Sequence, residues 1–205
     1  MQPMKLPNGA VYTGEWSMEG RREGKGIQEW TDGTKYVGEW ENDKANGYGK
    51  LLHADGDVYE GEWLDDMAHG WGKYIHADGA IYEGQWEYDK QSGYGRETWP
   101  DGARYEGNFG NGHKEGVGKL FFADGSIYNG EFMNNEINGK GVYAWSDGKY
   151  YEGEWKDNKM HGYGHLTWSD GREYKGHFKD DKRHGQGSFR WTDGRVYVGS
   201  WSNGR

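Results

Sequence analysis

A five-residue pattern, Tyr-x-Gly-x-Trp or Phe, returns along this chain at a fixed interval. That interval limits the fold more than any other feature. Its tyrosines are Tyr12, Tyr36, Tyr59, Tyr82, Tyr105, Tyr128, Tyr151, Tyr174 and Tyr197, spaced by 24 residues once and by 23 thereafter. Gly-x-Gly keeps the same beat from Gly24/Gly26 to Gly185/Gly187. So does Asp-Gly, from Asp32-Gly33 to Asp193-Gly194, with Asn8-Gly9 ahead of the first tyrosine. A strict period of this length signals stacked repeats, which grow along one axis without a central core.

The letters inside each period read as strands. In Tyr59–Trp63 alternation puts Tyr59, Gly61 and Trp63 on one face and Glu60 and Glu62 on the other. Five to seven polar, glycine-flanked residues lead to Gly-x-Gly, which suits a hairpin connection. Beyond it Gly162, Gly164, Leu166 and Trp168 share a face. The last of these positions is filled in turn by Trp30, His53, His76, Trp99, Phe122, Trp145, Trp168 and Trp191. Asp-Gly then turns the chain into the next repeat. Glycine interrupts every stretch long enough for a helix. Glycine on an inner strand face needs a claimant for the space, and the tyrosine and tryptophan rings are the obvious ones. The expected fold is all-β: an elongated, single-layer, twisted antiparallel ribbon of tandem β-hairpin repeats. It has about 17 strands and spans roughly 80 Å. Residues 1–7 form an N-terminal extension, and residues 8–205 hold eight full repeats and the first strand of a ninth.

Composition supports an ordered chain. It is 29% charged and carries 38 glycines, a polarity that can signal disorder. Its 12 Trp and 16 Tyr, at fixed places, supply buriable area instead. The absence of cysteine excludes disulfides and thiolate metal sites and suits a reducing cytosol. The N-terminal residues hold no apolar signal-peptide core, and no segment approaches the roughly 20 apolar residues of a membrane span. The expectation is a soluble, cytoplasmic protein. A net charge of −9 argues against nucleic acid as a partner. Residues 172–205 nevertheless hold eight Lys/Arg against four Asp/Glu, a basic end on an acidic body.

The segment YEGEWKDNKMHGYGHLTWSDG, Tyr151 to Gly171, resembles a MORN repeat (membrane occupation and recognition nexus), and the likeness covers residues 8–205. The departures are small. One extra residue lies between Trp16 and Gly24, and the His that often precedes Gly-x-Gly is present only as His69, His161 and His184. The resemblance implies an elongated β-hairpin ribbon. It implies a scaffold or adaptor role at membrane-linked junctions, cytoskeletal structures, cilia and basal bodies. It also implies self-association and, in some proposals, phosphoinositide binding. MORN repeats can accompany kinase or methyltransferase domains; no such domain lies in these residues.

The residues offer no catalytic constellation. Nothing resembles a nucleophile elbow or a phosphate loop with its lysine, and Gly-x-Gly lacks the third glycine and following helix of a dinucleotide fingerprint. The expectation is a non-enzyme without cofactor. His161 and His165 sit about 13 Å apart along one strand. His53 and His76, or His161 and His184, are separated by roughly 10 Å across two strands. Zinc needs ligand bonds near 2 Å. The geometry argues against a metal site within one copy and leaves open one completed by a second copy.

Two surfaces are candidates for binding. The alternate face of repeats two to four carries an aromatic-basic ladder: Tyr48, Lys50, Trp71, Lys73, Tyr94 and Arg96, with Glu39, Glu60, Glu62 and Glu83 nearby. It reads either as a cross-strand charge ladder that stabilises the sheet or as a groove for a protein partner, with aromatic anchors and charged specificity. The second surface is the C-terminal end. Val196, Tyr197, Val198 and Trp201 form a strand with an exposed edge, and Tyr174, Phe178 and Trp191 add apolar area. Such an edge is protected or used for pairing, and a two-fold contact would make a homodimer. A second function class is a module for anionic phospholipid, motivated by the Lys/Arg row; acidic net charge opposes it.

Overall fold

The computed structural model describes residues 1–205 and holds strands without helices. The first strands of the repeats are β2 (Val11–Trp16), β4 (Lys35–Glu41), β6 (Val58–Leu64), β8 (Ile81–Glu87), β10 (Arg104–Gly110), β12 (Ile127–Met133), β14 (Tyr150–Lys156), β16 (Glu173–Lys179) and β18 (Val196–Trp201). The second strands are β3 (Arg22–Glu29), β5 (Lys44–Leu52), β7 (Met67–Ile75), β9 (Lys90–Thr98), β11 (His113–Phe121), β13 (Glu136–Ala144), β15 (Lys159–Thr167) and β17 (Lys182–Arg190). With β1 (Met4–Lys5) they make one open antiparallel sheet of 18 strands, a ribbon of tandem hairpins. The strand beyond the expected seventeen or so is β1, which sets Met4 opposite Tyr12 and Lys5 opposite Val11. The chain divides into two units, residues 1–100 with 110–112 and residues 101–109 with 113–205. The same packing recurs inside each.

The first eight motif tyrosines form the core. Tyr12, Tyr36, Tyr82, Tyr105, Tyr128, Tyr151 and Tyr174 are at most 1% exposed, and Tyr59 is 2% exposed. Tyr12, Tyr36, Tyr59, Tyr105, Tyr128, Tyr151 and Tyr174 each lie edge-on to the ring of their own motif and to that of the next, and Tyr82 lies edge-on to Trp86. Tyr36 meets Trp40 at 5.0 Å and Trp63 at 5.4 Å, and Tyr128 meets Phe132 at 5.2 Å and Trp155 at 5.7 Å. Edge-to-face contacts suit the ring quadrupoles and add about 0.5–1.5 kcal/mol beyond area burial. Polar tips are satisfied within the ladder. Tyr59 Oη donates to the Glu62 carbonyl at 2.7 Å, and Trp63 Nε1 donates to the Gly49 carbonyl at 3.0 Å.

The rings claim the space that glycine leaves. A Cβ on Gly72 would lie 2.2 Å from Tyr59 Oη, and one on Gly164 2.3 Å from Tyr151 Oη. One sheet can therefore bury a layer of rings against its own backbone.

The hairpin connection is tighter than five to seven residues. In β6–β7 it is Asp65-Asp66, with φ of 46° and 68°, the twin left-handed pair of a two-residue hairpin turn. The tip also clasps its predecessor: Asp66 Oδ1 accepts the Ala45 N–H at 2.7 Å, and the Asp66 N–H donates to the Ala45 carbonyl at 2.9 Å. Asn158 does the same to Ile137 at 2.8 and 2.9 Å. The extra residue of repeat one sits in its own longer turn, where the Ser17 N–H donates to the Arg21 carbonyl at 2.8 Å.

The remaining residues before Gly-x-Gly continue the strand into a bulge. Gly61 faces Gly72 and Trp63 faces Ala68, so His69, Gly70 and Trp71 lie opposite Glu62 alone. Gly70 takes φ +94°, where side chains are strained. The Glu62 carboxylate fills the bulge and accepts the Trp71 N–H.

The residues expected to extend the inner ladder, from Trp30 to Trp191, begin the Asp-Gly turn instead. The Trp30 N–H donates to the Thr34 carbonyl at 2.9 Å, and its carbonyl accepts the Gly33 N–H at 3.0 Å. The turn needs both groups, so these rings sit half-buried at the rim. The strand residue opposite each tyrosine lies two positions earlier, as Tyr74 is opposite Tyr59 and Leu166 opposite Tyr151.

Candidate functional site

The bulge decides what the outer face displays. By turning out the residue between the glycines it leaves Tyr48 54%, Trp71 48% and Tyr94 52% exposed. Within residues 1–100 these three rings occur on every second strand. Across the intervening strands, Tyr48 is opposite Glu62 and Trp71 is opposite Gln85. Glu39 and Glu62 each accept the N–H of the adjacent ring residue, Tyr48 and Trp71, and Gln85 accepts that of Tyr94 at 3.1 Å. One carboxylate oxygen can accept more than one bond, so both acids keep capacity toward an incoming group.

A basic row runs beside the rings. Lys50, Lys73 and Arg96 are exposed. Lys50 is opposite Glu60, Lys73 is opposite Glu60 and Glu83, and Arg96 is opposite Glu83. Opposite charges directly across a ladder stabilise it by a few tenths to about 1 kcal/mol each. Tyr48 Oη donates to Glu60 at 2.9 Å, and that hydrogen bond holds the phenol above its ordinary pKa. The charge ladder and the exposed aromatic row thus coexist on one face.

Where the ring row ends, the outer face opens into a groove of about 670 Å³ lined by Thr13, Lys25, Ile27, Val37, Glu39 and Tyr48. A similar groove of about 550 Å³ recurs in the other unit against Lys140, Val142, Glu152, Glu154 and Tyr163. Its members stand 115 residues, or five periods of 23, beyond their counterparts.

The C-terminal candidates separate by burial. Val196, Tyr197 and Val198 are 54%, 43% and 74% exposed, and their strand β18 pairs with β17. Trp191 and Trp201 are half-buried. Tyr174 and Phe178 are buried in the inner ladder, 5.0 Å apart, and Tyr174 supports Trp201 at 5.5 Å. Arg183 covers Trp201 at 4.4 Å and donates to the Gly204 carbonyl at 2.9 Å.

Three of the eight histidines, His76, His161 and His165, each stand within 4 Å of a single acid. His165 Nε2 lies 2.8 Å from Glu173, whose carboxyl is held below its usual range by that hydrogen bond. Tyr74 donates to Asp57 at 2.6 Å and lowers that carboxyl likewise. No group of three His, Asp or Glu side chains stands close enough to hold a metal ion, and no helix is long and apolar enough to cross a membrane.

The sequence matches the MORN repeat in nine consecutive segments, residues 12–35, 36–58, 59–81, 82–104, 105–127, 128–150, 151–171, 174–194 and 197–205. This chain belongs to the MORN-repeat family. No curated protein matches its sequence significantly. Among solved structures, the TCP10 domain of Danio rerio CPAP is similar at 14% identity and a TM-score of 0.52, covering 97% of this chain and 94% of that one. At that identity the likeness shows the fold alone. The TCP domain of Drosophila melanogaster SAS-4, in complex with a proline-rich motif of Ana2, matches at 12% identity and a TM-score of 0.42 over 98% and 90% of the two chains. A streptogramin B lyase matches at 10% identity and a TM-score of 0.23 over 98% and 82%.

Two features of these MORN repeats escaped the sequence reading. The second acid of Tyr-Glu-Gly-Glu-Trp reads as a surface charge, yet in Glu62 it satisfies a backbone N–H freed by the bulge. The signal was its fixed distance from Gly-x-Gly: Glu39, Glu62 and Glu154 each lie eight residues before the first glycine. The grooves join residues from neighbouring repeats, which no linear motif collects.

Proposed function

We propose that this MORN-repeat chain is a non-enzymatic scaffold that binds protein partners across Tyr48, Lys50, Trp71, Lys73, Tyr94 and Arg96 and self-associates through its C-terminal repeats. Its setting is a cytoskeletal or membrane-linked structure in the cytoplasm. The observation that carries the reading is the row of half-exposed aromatic rings held outward by backbone bulges. Aromatic side chains have only two rotatable bonds, so ordering them on binding costs little, and they dominate binding energy at protein interfaces. For self-association the support is β18, whose exposed Val196, Tyr197 and Val198 offer an edge for a second copy.

Two measurements test these halves. Proximity cross-linking of the chain and of a Tyr48→Ser/Trp71→Ser/Tyr94→Ser variant should lose partners in the variant; an unchanged set removes the binding face. Light-scattering mass on the chain and on a form ending at Gly171 should give a dimer and a monomer. A monomer in both removes the C-terminal assembly site.

The alternative, recognition of anionic phosphoinositide membranes, rests on Lys50, Lys73 and Arg96. Glu60 and Glu83 oppose that row, which lowers its attraction for lipid headgroups. Co-sedimentation with phosphoinositide vesicles decides it: salt-sensitive binding lost in Lys50→Glu/Lys73→Glu supports the lipid reading, and no pelleting removes it.

A further inference from the structure

The ring row has a pitch. Tyr48, Trp71 and Tyr94 occupy matching positions on β5, β7 and β9, with one strand between each pair. Neighbouring strands lie about 4.7–4.9 Å apart, so successive rings are set roughly 9.4–9.8 Å apart along the sheet. A polyproline-II helix rises about 3.1 Å per residue with three residues per turn, so every third residue returns to one side after roughly 9.3 Å. The two periods agree to within about 0.5 Å. An extended strand repeats every second residue at about 6.6 Å and an α-helix every turn at 5.4 Å; neither matches.

The occupant's charge follows from the same residues. Glu39 and Glu62 stand beside the rings, Glu39 opposite Lys25, and the Lys50, Lys73 and Arg96 row is opposed by Glu60 and Glu83. The face itself is mixed, and the acidic field comes from the whole stretch: residues 1–100, both faces and turns together, hold ten Lys/Arg against nineteen Asp/Glu, a balance of −9. Such a surface draws in a basic segment and repels an acidic one.

We infer that the row Tyr48, Trp71 and Tyr94 docks a basic, proline-rich segment of a protein partner in the polyproline-II conformation, running across the strands with a proline on each ring. Proline rings pack flat on aromatic faces, and the segment is extended before it binds, so little order is lost. Arginine or lysine between the prolines reaches Glu39 and Glu62. This rests on the protein-binding reading of the same face and names the chemistry of its partner.

The test uses two synthetic peptides of identical composition, with arginines interspersed. One has proline at every third position and the other at every fourth. Each is titrated into the whole chain, followed by intrinsic tryptophan fluorescence and by calorimetry. The three-spaced peptide should bind at least tenfold more tightly than the four-spaced one. Trp71→Ser should weaken it at least tenfold, Trp71→Phe should retain most of it, and Tyr163→Ser should leave it unchanged, all with unaltered circular dichroism. Equal binding of the two peptides, binding indifferent to Trp71→Ser, or no binding of the three-spaced peptide overturns the inference. Cross-linking to the triple serine variant separates the two claims. Partners lost there while the three-spaced peptide fails leave the binding face standing and remove only the proline-rich occupant; partners retained remove both.

Discussion

In residues 1–100 the outward residue between the paired glycines reads Lys25, Tyr48, Trp71 and Tyr94; in residues 101–205 it reads Val117, Lys140, Tyr163 and Gln186. The first stretch has a charge balance of −9, and the second, with fifteen Lys/Arg and fifteen Asp/Glu, has none. Inside, the two stretches barely differ. Tyr36 and Tyr82 in the first, and Tyr128 and Tyr151 in the second, are all buried over glycine with their hydroxyls donating to a carbonyl three residues on. The difference teaches where variation is tolerated. The inner layer is a fit between a phenol and a missing Cβ, which leaves no room for a side chain at the glycine. The outer residue stands half-exposed with few side-chain contacts, such as the Tyr48 hydroxyl on Glu60, so residues as different as Val117, Lys140 and Gln186 take the same place.

The largest way to break the comparison is alkali, because it acts on every repeat of both stretches. Burial raises the phenols of Tyr36, Tyr59, Tyr82, Tyr105, Tyr128 and Tyr151. In the unfolded chain they ionise near pH 10. Above that pH the unfolded state binds fewer protons than the folded one, so stability falls as pH rises. Thermal melts from pH 8 to 12 should show a loss beginning near 10, common to both stretches; a flat profile would contradict the buried ladder.

A methyl or larger group at an inner glycine comes next. Gly72→Val and Gly164→Val should each cost about 3 kcal/mol or more, since the added atoms meet a tyrosine ring and overpacking alone costs about 1–3. Denaturant melts should give similar losses for the two. A cost confined to one would show that the inner layers are not equivalent.

The outer face should break the symmetry. Trp71→Ser is expected to reduce partner affinity by about 2 kcal/mol, as for an interface hot spot, and Tyr163→Ser by almost nothing. Equal effects in a binding assay would erase the distinction. Neither change should move the melting temperature by more than a degree or two.

Smallest is the exchange of ladder rings. Trp63 donates to the Gly49 carbonyl, and Trp155 and Trp201 make the same bond in the second stretch, whereas three of its five matching positions, Phe109, Phe132 and Phe178, carry no donor. Trp63→Phe should therefore cost only about 0.5–1.5 kcal/mol, the net worth of one hydrogen bond. Chemical denaturation would resolve it; a collapse of the repeat would mean the indole does more than cap a carbonyl.

Much of the fold was legible because its period is strict. Alternation in Tyr59–Trp63 gave the strand, and Gly-x-Gly beneath a ring gave the inner layer. The chain turn was placed less well. Asp65-Asp66 carries no glycine and reads as an ordinary polar pair, yet both residues are left-handed, as a two-residue hairpin turn requires, and Asp66 also clasps Ala45. At the C-terminal end, Tyr174 and Phe178 look like free apolar area until the ladder is built, when they prove to be buried in it.

By itself, then, the sequence determined the repeat, the strands, the all-β class and the family. These follow from local chemistry, in which period-two alternation, glycine and turn residues act within a few positions. Only the tertiary structure decided which acids are tied to the backbone, which C-terminal rings are buried and where the outer face opens into grooves. Those depend on strand register and on a bulge that sets three residues against one. Register joins residues of separate strands, and alternation read along one strand does not say which residue of the next strand each one meets.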